Sequence, residues 1–298
     1  MKTFNQVVSD FQSITKDSST ATLALAKQWV NDCVHQILSM SDWNFNKDSK
    51  SFSSVAQQQD YDPPYNALKI DYVNVYFGNV WYVPQEVRSG DLWRQINNVV
   101  VYSDIPTQWY VSNRTRKISL FPISNSANQT IKIGFTKKVR DLSVADYTTG
   151  TVSTTANSTA IVGAGTTFTQ RMIGSKIKIT SASTVIGDMW FEINTYTDAL
   201  HITVKESIPV AVAGASFTIS EPIPFMEGFE DISLFFALEK YYRLREKFGV
   251  SNEYRAMWQD YIKDMEMRDL RSVQGILEQQ TPVDLVDSNE NPWCINIV

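Results

Sequence analysis

The hydrophobic period of this chain changes twice, and that switch restricts the fold more than any single residue. Residues 4–41 carry apolar positions at helical spacing, residues 52–221 carry short alternating runs broken by turns, and residues 226–274 return to helical spacing. The order predicts an α+β fold: a helical bundle formed from both chain termini, an antiparallel β meander, and an inserted small β sandwich or barrel module. At 298 residues the chain is long enough for one large domain or two modest ones with their own cores.

At the N-terminal end, Phe4, Val7, Val8, Phe11 and Ile14 share one helical face. Lys16-Asp17-Ser18-Ser19 interrupts it, and Ser19 or Thr20 is placed to cap a second helix. That helix, predicted over Thr22–Met40, gathers Leu23, Ala26, Val30, Cys33, Val34 and Ile37 on one side and Lys27, Asn31 and Gln36 on the other. Near the C-terminus, Phe225–Phe248 predicts a helix stopped by Gly249. Ser251 then opens a second helix bearing Tyr254, Met257, Trp258, Tyr261 and Met265, which makes an αα-hairpin. The pattern ends after Leu277. Thr281–Val298 still keeps Leu285, Val286, Trp293, Ile295 and Ile297, the anchors of an extended docking tail that Pro282 and Pro292 hold out of helix.

Between these ends, Ala67–Phe77 and Val80–Val83 flank Gly78-Asn79 and read as a hairpin. Val99–Tyr102, Gln108–Val111, Lys117–Phe121 and Thr130–Thr136 read as further strands of a meander. From Tyr147 to Ser220 the composition shifts to Thr, Ser, Ala and Gly, with about six short strands at even spacing. The predicted divisions are a helical core (1–48 and 222–280), a meander (49–146), an inserted β module (147–221) and a docking tail (281–298).

No constellation for chemistry stands out. His35 and His201 lack a Cys, Asp or Glu neighbour at metal-ligand spacing, so no metal, cofactor or catalytic residue is expected. Gly163-Ala164-Gly165 lacks the lysine and helix start of a phosphate loop and reads as a turn. Carboxylates such as Glu86, Asp91 and Asp104 can pair in space as a glycosidase needs, but any chain with 32 acids offers such pairs. Lys132, Lys137, Lys138 and Arg140, with Arg114, Arg116 and Lys117, can form a basic strip or a charged sheet edge. A net charge of −5 argues against a surface built wholly for nucleic acid. Cys33 and Cys294 lie too far apart in sequence to suggest a disulfide framework and are expected as thiols of a cytoplasmic product. No apolar run is long enough to span a membrane.

Three segments carry a resemblance. The opening helix ends in Ser39-Met40-Ser41-Asp42-Trp43-Asn44-Phe45 and passes directly into strands. The run Gly150-Thr-Val-Ser-Thr, Gly163-Ala-Gly165-Thr-Thr-Phe168-Thr, Met172-Ile-Gly174-Ser-Lys-Ile-Lys-Ile179 and Trp190-Phe-Glu-Ile resembles a β module recurrent in phage neck and tail proteins. Ala237-Leu-Glu-Lys-Tyr241-Tyr242-Arg243, joined to a second helix, resembles a Tyr-Tyr-Arg helix pair. Over nearly its whole length the chain resembles a head-to-tail adaptor (connector) protein of tailed bacteriophages.

The resemblance implies a structural, non-enzymatic virion protein of the neck, assembled in the host cytoplasm. It implies a homo-oligomeric ring, commonly twelvefold, that binds beneath the portal, meets a downstream tail or nozzle protein and leaves a channel for DNA. On this reading Tyr241, Tyr242, Arg243, Tyr254, Trp258 and Tyr261 lie on intersubunit helix faces, and the tail residues dock on the portal or a neighbour. A negative chain lets genomic DNA pass without tight binding. The β insertion departs from minimal adaptors and leaves its partner open. The alternatives are another neck or tail part (stopper, tube or fibre anchor), or a carbohydrate-binding or cell-wall-degrading virion protein using Trp190 in the insertion. If the tail docks, Trp293→Ala or truncation after Gln280 leaves monomer melting unchanged but weakens assembly onto portal, measured by co-sedimentation; full assembly of both variants contradicts it.

Overall fold

A computed structural model places five helices among the described residues: α1 (Phe4–Thr15), α2 (Thr20–Met40), α3 (Gly90–Ile96), α4 (Asp231–Leu244) and α5 (Phe248–Gln279). The structure describes residues 2–142, 145–180, 186 and 189–279, the last eight of these as backbone alone. The fold is α+β, as the pattern predicts. It divides into two compact units. Among the described residues, one holds Val7–Phe45 and 223–279; the other holds Thr3–Gln6 and 46–222.

In the helical unit the capping expectation for α2 holds: Ser19 Oγ accepts the Thr22 N–H at 3.3 Å. The α2 face turned inward buries Ala26, Val30, Cys33, Val34 and Ile37, and that burial pushes the Cys33 thiol up. Asp17, in the break between α1 and α2, accepts from the Ser19 amide (3.0 Å), Thr22 Oγ1 (3.0 Å) and Arg245 Nη2 (2.8 Å).

The α4–α5 turn differs from expectation. Glu246, not a glycine, takes the left-handed position at φ 57°. Lys247 N–H reaches Tyr242 O (2.9 Å) and Glu246 N–H reaches Arg243 O (3.1 Å), a Schellman closure. The turn is therefore complete before Gly249, which falls inside α5. Ser251 is no cap either: it is buried in α5, its amide on Lys247 O (3.0 Å) and its hydroxyl on Glu239 O (3.2 Å). Helix α4 begins at Asp231 rather than Phe225, and α5 runs 32 residues, about 48 Å at 1.5 Å per residue.

The hairpin is held by a buried carboxylate. Glu239 on α4 is 1% exposed; Arg255 on α5 donates Nη2 (2.9 Å) and Nε (3.2 Å), and Trp258 donates Nε1 (3.1 Å). Burying an anion is tolerable only with such donors. Beside it runs an aromatic ladder: Tyr242 stacks on Tyr254 at 5.6 Å, Phe235 meets Tyr261 at 5.5 Å, and Phe236 meets Trp258 at 5.5 Å.

In the second unit the strands before residue 142 are β1 (Lys47–Ser53), β2 (Asp60–Tyr61), β3 (Ala67–Phe77), β4 (Val80–Tyr82), β5 (Gln85–Glu86), β6 (Gln108–Val111), β7 (Ile118–Phe121) and β8 (Thr130–Lys137). They pair as two four-stranded sheets, β1-β8-β3-β4 and β2-β7-β6-β5. The β3–β4 hairpin turns on Gly78 and Asn79, both left-handed, as expected. Sequence neighbours pair only in part, because β8 lies between β1 and β3, and β5 joins β6 in parallel. Val99–Tyr102 is not a strand; only Tyr102 makes a bridge, to Ile123, and the preceding residues form the unforeseen helix α3.

The composition shift at Tyr147 marks a seven-stranded sheet: β9 (Thr151–Thr154), β10 (Ser158–Ala164), β11 (Lys176–Ile179), β12 (Trp190–Asp198), β13 (His201–Ile208), β14 (Val212–Ala215) and β15 (Phe217–Ser220), in the order β14-β9-β10-β13-β12-β11-β15. Its two edge strands are consecutive in the chain. Tyr147, just before β9, exchanges both backbone bonds with Ile219 of β15 at 2.9 Å, so the sheet is nearly closed. Ile161, Ile177, Phe191, Ile193, Ile202, Val204 and Phe217 fill its interior. Gly163 and Ala164 end β10 rather than form a turn, which begins at left-handed Gly165, and a Cβ on Gly163 would lie 2.1 Å from Thr166 Oγ1.

Two outcomes follow. Glu239→Ala removes a buried charged acceptor and leaves the Trp258 N–H without one, so chemical denaturation should show a loss of about 2–4 kcal/mol; a cost below about 0.5 kcal/mol would mark the pair as a surface-like contact. Asp17 is held from the ordinary 3.8 down to about 2, first by the Ser19 amide, then by the Ser19 and Thr22 side chains and Arg245. A depressed carboxylate stabilises the fold above its unfolded value, and that stabilisation is lost as pH falls from about 4 toward 2. The parent should therefore lose stability more steeply than Asp17→Asn across that window; parallel acid limbs would contradict the assignment.

Candidate functional site

A cleft of about 330 Å³ opens in the second unit, lined by β1, by the Asp62–Asn66 turn before β3, by Gln170, and by residues of β12 and β13. The charged groups of its floor are paired, with Lys176 Nζ also 3.7 Å from Glu192 Oε2. Lys205 Nζ lies 2.7 Å from Asp48 Oδ2 and 2.8 Å from Glu192 Oε1. Burial pulls the Lys205 ammonium down, but hydrogen bonds to Asp48 and Glu192 outweigh it and the net shift is upward. Lys137 nearby is shifted down by burial, against the attraction of Glu192 and Asp48.

Strand β12 positions the cleft's polar wall through a bulge. Ile193 opposes Val204 and Thr195 opposes Thr203, which leaves Asn194 as the extra residue. The alternation flips there: Phe191 and Ile193 are buried, and beyond the bulge Tyr196 packs against the same core. Asn194 is exposed and lines the cleft.

The residues singled out for chemistry do not converge. Glu86 pairs with Arg88 (3.0 Å), Asp91 with Arg94 (3.2 Å), and Asp104 accepts from Ser126 Oγ (2.7 Å). His201 does have an acidic neighbour, contrary to expectation. Asp198 lies across the β12–β13 turn with its Oδ1 2.8 Å from His201 Nδ1, and it is shifted down by the Leu200 amide and then by His201. The turn brings residues three apart face to face, which linear spacing hides. His35 is exposed. Among the described residues no group of three or more His, Cys, Asp and Glu could hold a metal, and no helix is long and apolar enough to cross a membrane. Three of the seven basic-strip residues are committed: Lys117 pairs with Asp62 (3.5 Å), Arg116 donates to Leu68 O (2.8 Å), and Arg140 pairs with Glu221 (3.6 Å). Trp190 sits half-buried in β12, in register with Lys178, and is not among the residues lining the cleft.

The helix-face residues are divided by the hairpin. Tyr241 and Trp258 are buried within the helical unit, Tyr241 against Phe11 at 5.5 Å. Tyr242 and Tyr254 are half-buried in their mutual stack, and Arg243 and Tyr261 are exposed. Leu285, Val286, Trp293, Ile295 and Ile297 lie outside the described residues. Sequence reasoning passed over a larger exposed apolar set on the same hairpin: Leu244 (63%), Phe248 (60%), Met257, Met267 and Leu270 (62%). In the second unit Val99, Val100, Val101 and Tyr102 are exposed in succession, and Trp81 and Val83 are exposed as well. Exposed apolar runs of this kind are unusual, since most large apolar side chains are buried.

No protein-family model matches the chain, and no curated protein matches it.

Proposed function

We propose that this chain is a structural, non-enzymatic subunit of a head-to-tail adaptor ring in a tailed bacteriophage. It would bind beneath the portal, join capsid to tail, and leave a channel through which DNA passes. The observation that carries the reading is the apolar surface left on the α4–α5 hairpin. Leu244, Phe248, Met257, Met267 and Leu270 stay in solvent although the hairpin has its own core in Phe236, Trp258, Ile262 and Met265. A helix pair that retains large apolar side chains outside a filled core is suited to a neighbour. A surface that meets a different surface on the next copy closes into a ring when the rotation permits.

Three further features support it. Helices from both ends of the chain form one unit and the β strands another, so separate surfaces are available for portal and tail partners. The exposed Val99–Tyr102 run offers an apolar contact on the β unit. The net charge of −5 and the paired basic residues disfavour a tight grip on passing DNA. The twelvefold order, the neck location and the portal as partner rest on the resemblance.

The test combines Phe248→Asp with Met257→Asp. Both side chains are exposed, so monomer stability should change by less than about 1 kcal/mol. Mass photometry and electron microscopy of the parent with its portal should show closed rings, and the double variant should remain unassembled. A parent that stays monomeric beside portal, or a variant that assembles as well as the parent, overturns the proposal.

A further inference from the structure

We propose that the cleft between β1 and β12 binds a neutral oligosaccharide. The inference goes beyond the adaptor reading and does not depend on it, since binding is read on the chain whether or not it assembles.

Volume sets the scale. About 330 Å³ is at the lower end of small-molecule clefts and suits a short, bulky, polar segment more than a long peptide. The free hydrogen-bonding groups set the chemistry. The side-chain amides of Asn66, Asn194 and Gln170 and the phenols of Tyr65 and Tyr196 line the cleft, and among the described residues none of these side chains makes a hydrogen bond. Each amide offers a donor and an acceptor side by side, and each phenol offers both. Vicinal sugar hydroxyls present the same mixed pattern and can engage an amide through two bonds at once.

The charges in the cleft point the same way. Lys205 is held between Asp48 and Glu192, so the floor offers no free ion of either sign. Asp62 at the rim is drawn toward Lys117 at 3.5 Å, and Lys50 adds one exposed cation. A cationic ligand would have to compete with bonds already made, an anionic one would find only the exposed Lys50, and a neutral one needs neither. The rings of Phe52, Tyr65 and Tyr196 and the adjoining Pro63 supply apolar faces for the C–H side of a sugar. The bulge at Asn194 supplies its exposed amide between Ile193 and Tyr196, which pack on the core.

The test titrates the full chain with maltotriose, cellotriose, chitotriose and raffinose, with sialyllactose as a charged comparison, by calorimetry and ligand-observed NMR. The expected result is saturable binding of at least one neutral probe in the millimolar range or tighter. Asn194→Ala and Asn66→Ala should each weaken it about tenfold or more with unchanged melting. Should Asn194→Ala fail to fold, Gln170→Ala, exposed at the start of a one-turn 3-10 helix (Gln170–Met172), takes its place in the comparison. The proposal is overturned if no neutral probe binds at 20 mM (about the weakest affinity worth counting), if the variants keep parental affinity, or if only the charged probe binds.

Discussion

A single buried carboxylate fixes the corner on which the helical unit depends. Asp269, on α5 and 5% exposed, accepts from Asn44 N (3.0 Å), Asn44 Nδ2 (3.1 Å) and Phe45 N (3.2 Å). Asn44 and Phe45 open the short turn that follows α2, where backbone donors have no helical partner of their own. Just before them, buried Trp43 donates Nε1 to Ile37 O at 2.7 Å and tucks back under α2. A charged hydrogen bond of this kind is worth about 1.5–3 kcal/mol, and a buried tryptophan about 3–5 kcal/mol on truncation. Together they tie the last long helix to the place where the chain leaves its N-terminal helices, so both ends of the sequence act as one body.

This corner explains the Ser-Met-Ser-Asp-Trp-Asn-Phe segment physically. Trp43 fills the core, Asn44 and Phe45 lend their amides to Asp269, and Asn46 Nδ2 reaches Lys137 O at 3.2 Å as the β unit begins. The same economy governs the α4–α5 hairpin. Aromatics expected at subunit faces mostly pack on each other within the chain, and the side chains left outside are mainly leucine and methionine, with one phenylalanine, Phe248. An interface there would be soft and adaptable, since methionine fits irregular surfaces.

Much of the fold was legible because it rests on local rules. Period separated helices from strands, Gly78-Asn79 marked its hairpin, Ser19 marked its cap, and the shift at Tyr147 marked the barrel. What was missed depends on residues far apart or on backbone closure. Left-handed Glu246 ends α4, its own N–H on Arg243 O and the Lys247 N–H on Tyr242 O, so Gly249 was a false stop. Ser251 looked like a cap but serves a core contact with Glu239. The cleft was invisible because Asp48 and Lys205 meet from positions 157 residues apart, and because the Asn194 bulge breaks the alternation on which strand reading relies.

The claim that the two ends of the chain form one cooperative helical body is tested most directly by native-state hydrogen exchange on Asp269→Ala. The account predicts that amides of α2, α4 and α5 lose protection together and by a similar free energy, while those of β8 and β13 keep theirs. A loss confined to residues 43–46, or one shared equally by the strands, would contradict it.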